Sequence, residues 1–168
     1  MNFYDENKTI IDMKTIINRL IDEHQANDDK EFQWMYKKCS NEKLKLILLK
    51  MTVLMLHVLE NISQNNSINC KTISENISVL KGTVSKIVNK LVNYKLITYS
   101  YLPNNKKEKL YTATELGREL ASLHEQMHKE YQKKLMCYLA SFSEEDFQTA
   151  YKLINAYLNF DINKDEPN

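Results

Sequence analysis

The chain has 168 residues, 43% of them hydrophobic, enough for one domain with a real core or for a small module with an appended helical part. Two glycines and two prolines (Gly82, Gly117, Pro103, Pro167) fall far below the usual roughly 7% and 5%, which favours long helices and argues against a barrel or a sandwich. The net charge of +1 implies no partner by itself, but residues 81–109 carry seven lysines against one acid, Glu108, a local +6 that leaves −5 for the rest of the chain. Such a segment suits a polyanion.

In chain order, Ile10, Met13, Ile16, Ile17, Leu20 and Ile21 recur at helical intervals and predict a first helix over about residues 6–26. The charged break NDDKE and a short aromatic stretch, FQWMYKKC, follow, with Trp34 expected in the core. From about Asn41 to Ile62 a single apolar helix is expected, wide enough in its apolar face to be buried on more than one side. Lys45, Lys50, His57 and Glu60 interrupt this run too often for a membrane span, so no membrane partner is expected. After the loop SQNNS, Ile73 and Ile77 mark a short helix, and Val84, Ile87, Val88 and Leu91 mark a second, only about four residues later. A tight turn between two such helices, the second with a polar free face, meets the requirement of a helix-turn-helix. LITYSYL and KLYTAT then read as two strands around a basic tip, PNNKKE. Two closing helices follow, with Thr114 and Ser143 as N-caps and Asp146 completing a capping box.

Three widely spaced cysteines, Cys39, Cys70 and Cys137, make no disulfide framework and suit a reducing compartment. The opening MNFYDENKTI has no basic stretch followed by an apolar one, so no signal peptide is expected and the expected location is cytoplasmic.

Helices, a helix-turn-helix, a hairpin and two closing helices follow one another as in the MarR family of bacterial transcription regulators. GTVSKIVNKLVNYKLI resembles that family's recognition helix and following strand, and LYTATELGREL resembles the end of its wing and the start of the next helix. The resemblance is detailed from about Leu54 to Leu120 and extends in element order over nearly the whole chain. It implies a mainly α fold: a winged helix-turn-helix over 41–113 with a small β-hairpin wing, and an added helical dimerisation part from 5–38 and 114–160. It also implies a homodimer that binds a pseudo-palindromic operator on double-stranded DNA, represses transcription, and is released by an effector such as a small molecule, a metal or an oxidant. Two departures stand out. The family's wing Asp-x-Arg is matched by Asn105 and Lys107, and Leu80 stands where a capping Ser is usual.

The residues assigned to DNA are Lys81, Thr83, Ser85, Lys86, Asn89 and Lys90 on the second helix, and Asn104, Asn105, Lys106 and Lys107 on the wing. Lysines neutralise phosphates, while Thr, Ser and Asn reach phosphates or base edges. A solvated helix face is the competing explanation, but it accounts for neither the tight turn nor the basic hairpin. Tyr138, Leu139, Phe142, Leu153, Ile154 and Leu158 are assigned to a dimer seam, the alternative being an ordinary monomer core. Some members of the family sense oxidants through an N-terminal cysteine, a part Cys39 would take beside Lys37 and Lys38, against the commoner case of an inert buried thiol.

One motif points elsewhere. HEQMH, His124 to His128, fits the H-E-x-x-H zinc pattern, in which two imidazoles four apart share a helix face and Glu125 would activate water. A zinc hydrolase also needs a third ligand, for which only Glu144 or Glu145 stands nearby, and a second lobe that the remaining 40 residues do not offer. Zinc-sensing members of the family place paired histidines on this helix, with further ligands on the first, where Glu23 and His24 stand; the resemblance implies that another ligand position, on the first helix of the DNA-binding part, is replaced by an apolar residue near Leu54, with His57 about one turn away. The sequence therefore ranks ordinary surface or seam histidines first, a regulatory metal site second and a hydrolase last. No catalytic residue, metal ligand or cofactor is assigned. A helical interaction protein without DNA binding leaves the +6 segment unexplained.

Overall fold

The structure is a computed structural model that describes residues 15, 16, 19, 29–102 and 105–160, and the side chains of 102–107 lie outside that description. Of the expected first helix, Thr15, Ile16 and Arg19 are helical and the rest falls outside the described residues. Residues 29–38 are helical (α1). They are followed by α2 (Glu42–Leu48), α3 (Val53–Gln64), α4 (Cys70–Asn76), α5 (Lys81–Asn93), β1 (Ile97–Leu102), β2 (Asn105–Ala113), α6 (Glu115–Leu139) and α7 (Glu144–Leu158).

The single helix expected over Asn41–Ile62 is instead two. Asn41 caps α2 by accepting from the amides of Lys43 and Leu44. Thr52, in extended conformation, accepts from Met55 N and starts α3 afresh. Each cap satisfies an amide that the first turn of a helix leaves without a partner, so the apolar run can break without exposing bare backbone. α3 is buried on several sides, through Met55, Leu56, Val58, Leu59 and Ile62. Around it pack α4, α5 and β2. Trp34 packs against this core half-buried, and Cys39 is buried with its thiol donating to Asn41 O at 3.4 Å.

Four residues, Ile77 to Leu80, join α4 to α5. Ser78 makes the turn at φ 53°, and Ser74 Oγ ties it down by donating to Val79 O at 2.5 Å. α5 turns Val84, Ile87, Val88 and Leu91 inward, the i, i+3, i+4, i+7 set of one helix face. The hairpin pairs Ile97 with Ala113, Tyr99 with Tyr111 and Tyr101 with Lys109, and a bridge from Ile68 to Tyr111 attaches it to the loop before α4. β2 begins at Asn105 rather than Lys109, so the tip is shorter than PNNKKE, and the register shifts between Tyr101 and Leu102. This is a mainly α winged helix-turn-helix with a two-stranded wing. Two compact units divide the chain, Met1–His128 and Lys129–Asn168. In the second, Ser143 and Asp146 form the expected capping box at the head of α7.

α6 starts against the end of the recognition unit. Thr114 N donates to Leu96 O at 2.9 Å, its hydroxyl donates to Lys95 O at 2.8 Å, and the same oxygen accepts from Gly117 N at 3.1 Å. Gly117 is needed for this approach: a Cβ there would stand 1.9 Å from the Leu96 carbonyl oxygen, a backbone atom that cannot rotate away. Gly117→Ala should therefore destabilise the protein by about 3 kcal/mol despite alanine's better helix propensity. Urea denaturation checks it, and an unchanged midpoint would mean that α6 does not meet Leu96 so closely.

Candidate nucleic-acid interface and histidine cluster

The free face of α5 carries the residues the sequence assigns to DNA. Lys81, Ser85, Lys86, Asn89 and Lys90 are exposed and Thr83 is half-buried. Lys81, Ser85 and Asn89, four apart on one face, line a cleft of about 540 Å³ together with Lys71 of α4 and Lys109 of β2. Leu80, at the N-cap position of α5, makes no side-chain hydrogen bond to the helix. Asn105, Lys106 and Lys107 belong to β2, while Asn104 lies outside the described residues.

Around this cleft the wing is braced from below. Glu108 Oε1 accepts from Asn69 Nδ2 at 2.5 Å, so the residue that caps α4 also holds the wing strand. Tyr111 is buried at the floor, its phenol pushed up from the usual range by burial first and then by Cys70 beside it. Lys109 Nζ lies 4.1 Å from the centre of the Tyr99 ring, a cation–π contact that orients the ammonium on the hairpin.

A second constellation lies where α3 and α6 meet. His57, His124 and His128 each bring a ring nitrogen within 4.8 Å of the others. His124 is fully buried. Its Nδ1 is 3.1 Å from Glu60 Oε2 and its Nε2 is 3.1 Å from His128 Nε2. Burial, then His128, then His57 push the His124 pKa down to about 3, so the ring is neutral at physiological pH. Of the pair the sequence reads as surface or seam histidines, His124 is buried and His128 is half-buried, and the third member of the cluster is His57; Glu23 and His24 lie outside the described residues.

The cluster fits a divalent metal. Zinc holds imidazole nitrogens at about 2.0–2.1 Å, which places neighbouring ligand atoms roughly 3.3 Å apart in a tetrahedron. The 3.1 Å between the two Nε2 atoms is close to that edge, and the neutral His124 ring offers a lone pair without first losing charge.

A tight helix pair with a polar recognition face and a basic hairpin beside it defines a DNA-binding winged helix-turn-helix protein. The MarR family profile matches residues 51–109. HTH-type transcriptional regulator PchR of Bacillus subtilis is 30% identical over 136 residues, 81% of this chain and 79% of PchR. HTH-type transcriptional regulator YvnA of the same organism is 32% identical over 109 residues, 65% of this chain and 69% of YvnA. The chain belongs to the MarR family of transcription regulators. Among solved structures, Lactococcus lactis ZitR, described as a zinc-responsive MarR family member, superposes with a TM-score of 0.64 at 16% identity, over 87% of this chain and 96% of that one. ZitR in complex with DNA gives 0.58 at 21% identity, over 72% and 78%. Among the described residues no helix is long and apolar enough to cross a membrane.

Sequence reasoning did not single out Lys71, Lys109 or Glu60, and it placed His57 only one turn from a ligand position of the family. The two lysines were legible only as charge, since the fold alone brings the start of α4 and the middle of β2 beside α5.

Neutrality of His124 has a consequence for the metal-free protein. Its folded pKa of about 3 lies below the unfolded value of 6.5, so its contribution to stability is fully present above 6.5 and is lost as pH falls toward 3, where the unfolded chain binds a proton that the folded one refuses. At pH 5 the loss amounts to about 2 kcal/mol. Urea denaturation with chelator at pH 7.5 and 5.0 should show the parent losing that much more than His124→Gln. Equal losses would contradict the buried neutral ring.

Proposed function

We propose that the protein is a homodimeric repressor whose operator affinity is set by a divalent metal held by His57, His124 and His128. The observation that carries the metal reading is the meeting of these three imidazoles between α3, which packs on the recognition helix α5, and α6. A metal there ties α6 to the helix that supports α5. Rigidifying that support lowers the entropy cost of docking on DNA, so the metal tightens operator binding. This reverses the sense expected from the sequence, in which the effector releases the protein.

On DNA, Lys81, Lys86 and Lys90 meet phosphates, Thr83, Ser85 and Asn89 face base edges or phosphates, and the wing of Asn104, Asn105, Lys106 and Lys107 reaches the flanking groove. To these we add Lys71 and Lys109 as phosphate contacts beside the same cleft. The winged part spans 41–113 and the dimerisation part 5–38 and 114–160. Two facts favour a second copy over a monomer core. Among the described residues α7 buries none of its side chains in the single chain, and Tyr138, Phe142, Leu153, Ile154 and Leu158 are all exposed. ZitR, one of the structural neighbours, is described as zinc-responsive and was solved with DNA, which supports the same pairing of functions here.

The motif HEQMH is then regulatory rather than hydrolytic, in a cytoplasmic protein that is not an enzyme. Glu125 is exposed while His124 is fully buried, so the glutamate does not share the enclosed side of the ring it would have to serve. Fluorescence anisotropy on the upstream DNA of its own gene, with light scattering for mass, tests the proposal. A dimer should bind at least tenfold more tightly with zinc than with chelator, and the His124→Ala, His128→Ala double variant should lose that difference. Lys71→Ala and Lys109→Ala should each weaken binding to all sequences and reduce the salt slope by about 1. A monomer without salt-dependent binding would overturn the DNA reading. Affinity indifferent to zinc would overturn the metal reading alone.

A further inference from the structure

Glu60 stands on α3 three residues after His57, so the two side chains rise from one edge of the helix. Its carboxylate is held at both oxygens: Oε2 meets His124 Nδ1 at 3.1 Å and Oε1 accepts from Gln64 Nε2 at 3.3 Å. The side chain is only 21% exposed. The two nitrogens of an imidazole point in nearly opposite directions, so a carboxylate on Nδ1 backs the ring and leaves the Nε2 side to the other histidines.

We infer that Glu60 is a positioning residue of the metal site, fixing His124 as the Nδ1–H tautomer and so presenting its Nε2 lone pair to the metal. The inference rests on the metal reading above and deepens it. A neutral imidazole carries one ring proton, and an ionised carboxylate can only accept. With Nδ1–H donated to Glu60, Nε2 of His124 is the acceptor. The 3.1 Å contact to His128 Nε2 is then donated by His128, and for a metal to enter between the two rings His128 must exchange that proton for one on its own Nδ1 through solvent, with no net loss of a proton. His124 itself has no proton to lose and no rotation to make. The carboxylate also sets a negative charge behind the ring, making His124 a stronger donor to a dication and offsetting part of the charge buried with it.

Removing a carboxylate that backs a metal-binding histidine typically costs 10–100-fold in metal affinity. Cobalt(II) affinity of the full chain, read from the visible absorption of the bound ion, is to be compared for the parent, Glu60→Gln and Glu60→Ala. ¹⁵N–¹H correlation spectra of the metal-free proteins report the His124 tautomer. Glu60→Gln keeps an acceptor oxygen but no charge, so it should keep the Nδ1–H tautomer and lose about tenfold in affinity. Glu60→Ala should lose up to about a hundredfold and mix the tautomers. A merely structural role would lower the melting temperature of both variants without this graded split. Parent-like cobalt affinity and an unchanged tautomer in Glu60→Ala would overturn the inference while leaving the metal site standing. A parent that binds no cobalt would overturn both.

Discussion

α3 buries Met55, Leu56, Val58, Leu59 and Ile62, five side chains in little more than two turns, and a helix so enclosed dictates where its neighbours lie. Burial of this apolar surface is the main favourable term in the first unit, at roughly 1.5–3 kcal/mol for each large side chain taken fully out of water. α4, α5 and β2 all pack on it, so the orientation of the recognition helix follows from the packing of α3. The edge carrying His57 and Glu60 breaks the apolar pattern, and it faces His124 and His128 of α6. The same helix that supports the recognition helix thus carries one of the three clustered histidines, together with Glu60.

This arrangement explains why a buried histidine is tolerated. A polar ring out of water costs free energy unless its nitrogens have partners. His124 has one on each side, Glu60 and His128, and it is neutral. Hydrogen-bonded and uncharged, it joins α3 to α6 in the metal-free protein. A metal at the Nε2 side would strengthen that junction rather than create it. The proposed coupling would need no long path, because α3 carries His57 of the cluster and packs on α5.

Most of the fold was legible in the sequence, because its signals are local. The spacing of Val84, Ile87, Val88 and Leu91 marked α5, the four-residue gap before it marked the turn, and Ser143 with Asp146 marked the start of α7. Where the reading failed, the physics was either hidden in composition or not local. The break between α2 and α3 lies in a run that is apolar on both sides, so hydrophobic periodicity passed over the cap of Thr52. The residues assigned to DNA were read from α5 and the wing tip, but Lys71 and Lys109 come to line a cleft beside them only through the packing of α4 and the wing. His124 and His128 were found from their i, i+4 spacing and His57 only as a neighbour of a ligand position, whereas Glu60 required the crossing of two helices.

His57 is the one member of the cluster on α3, brought to the two histidines of α6 by the crossing of the helices. Calorimetric titration of the chelator-treated protein with zinc, parent against His57→Ala, tests that directly. The parent should bind about one zinc tightly per chain and the variant at least about a hundredfold more weakly, because three protein ligands become two. Equal affinity and stoichiometry in the two proteins would mean that His57 takes no part, and that α3 and α6 are not joined by a metal.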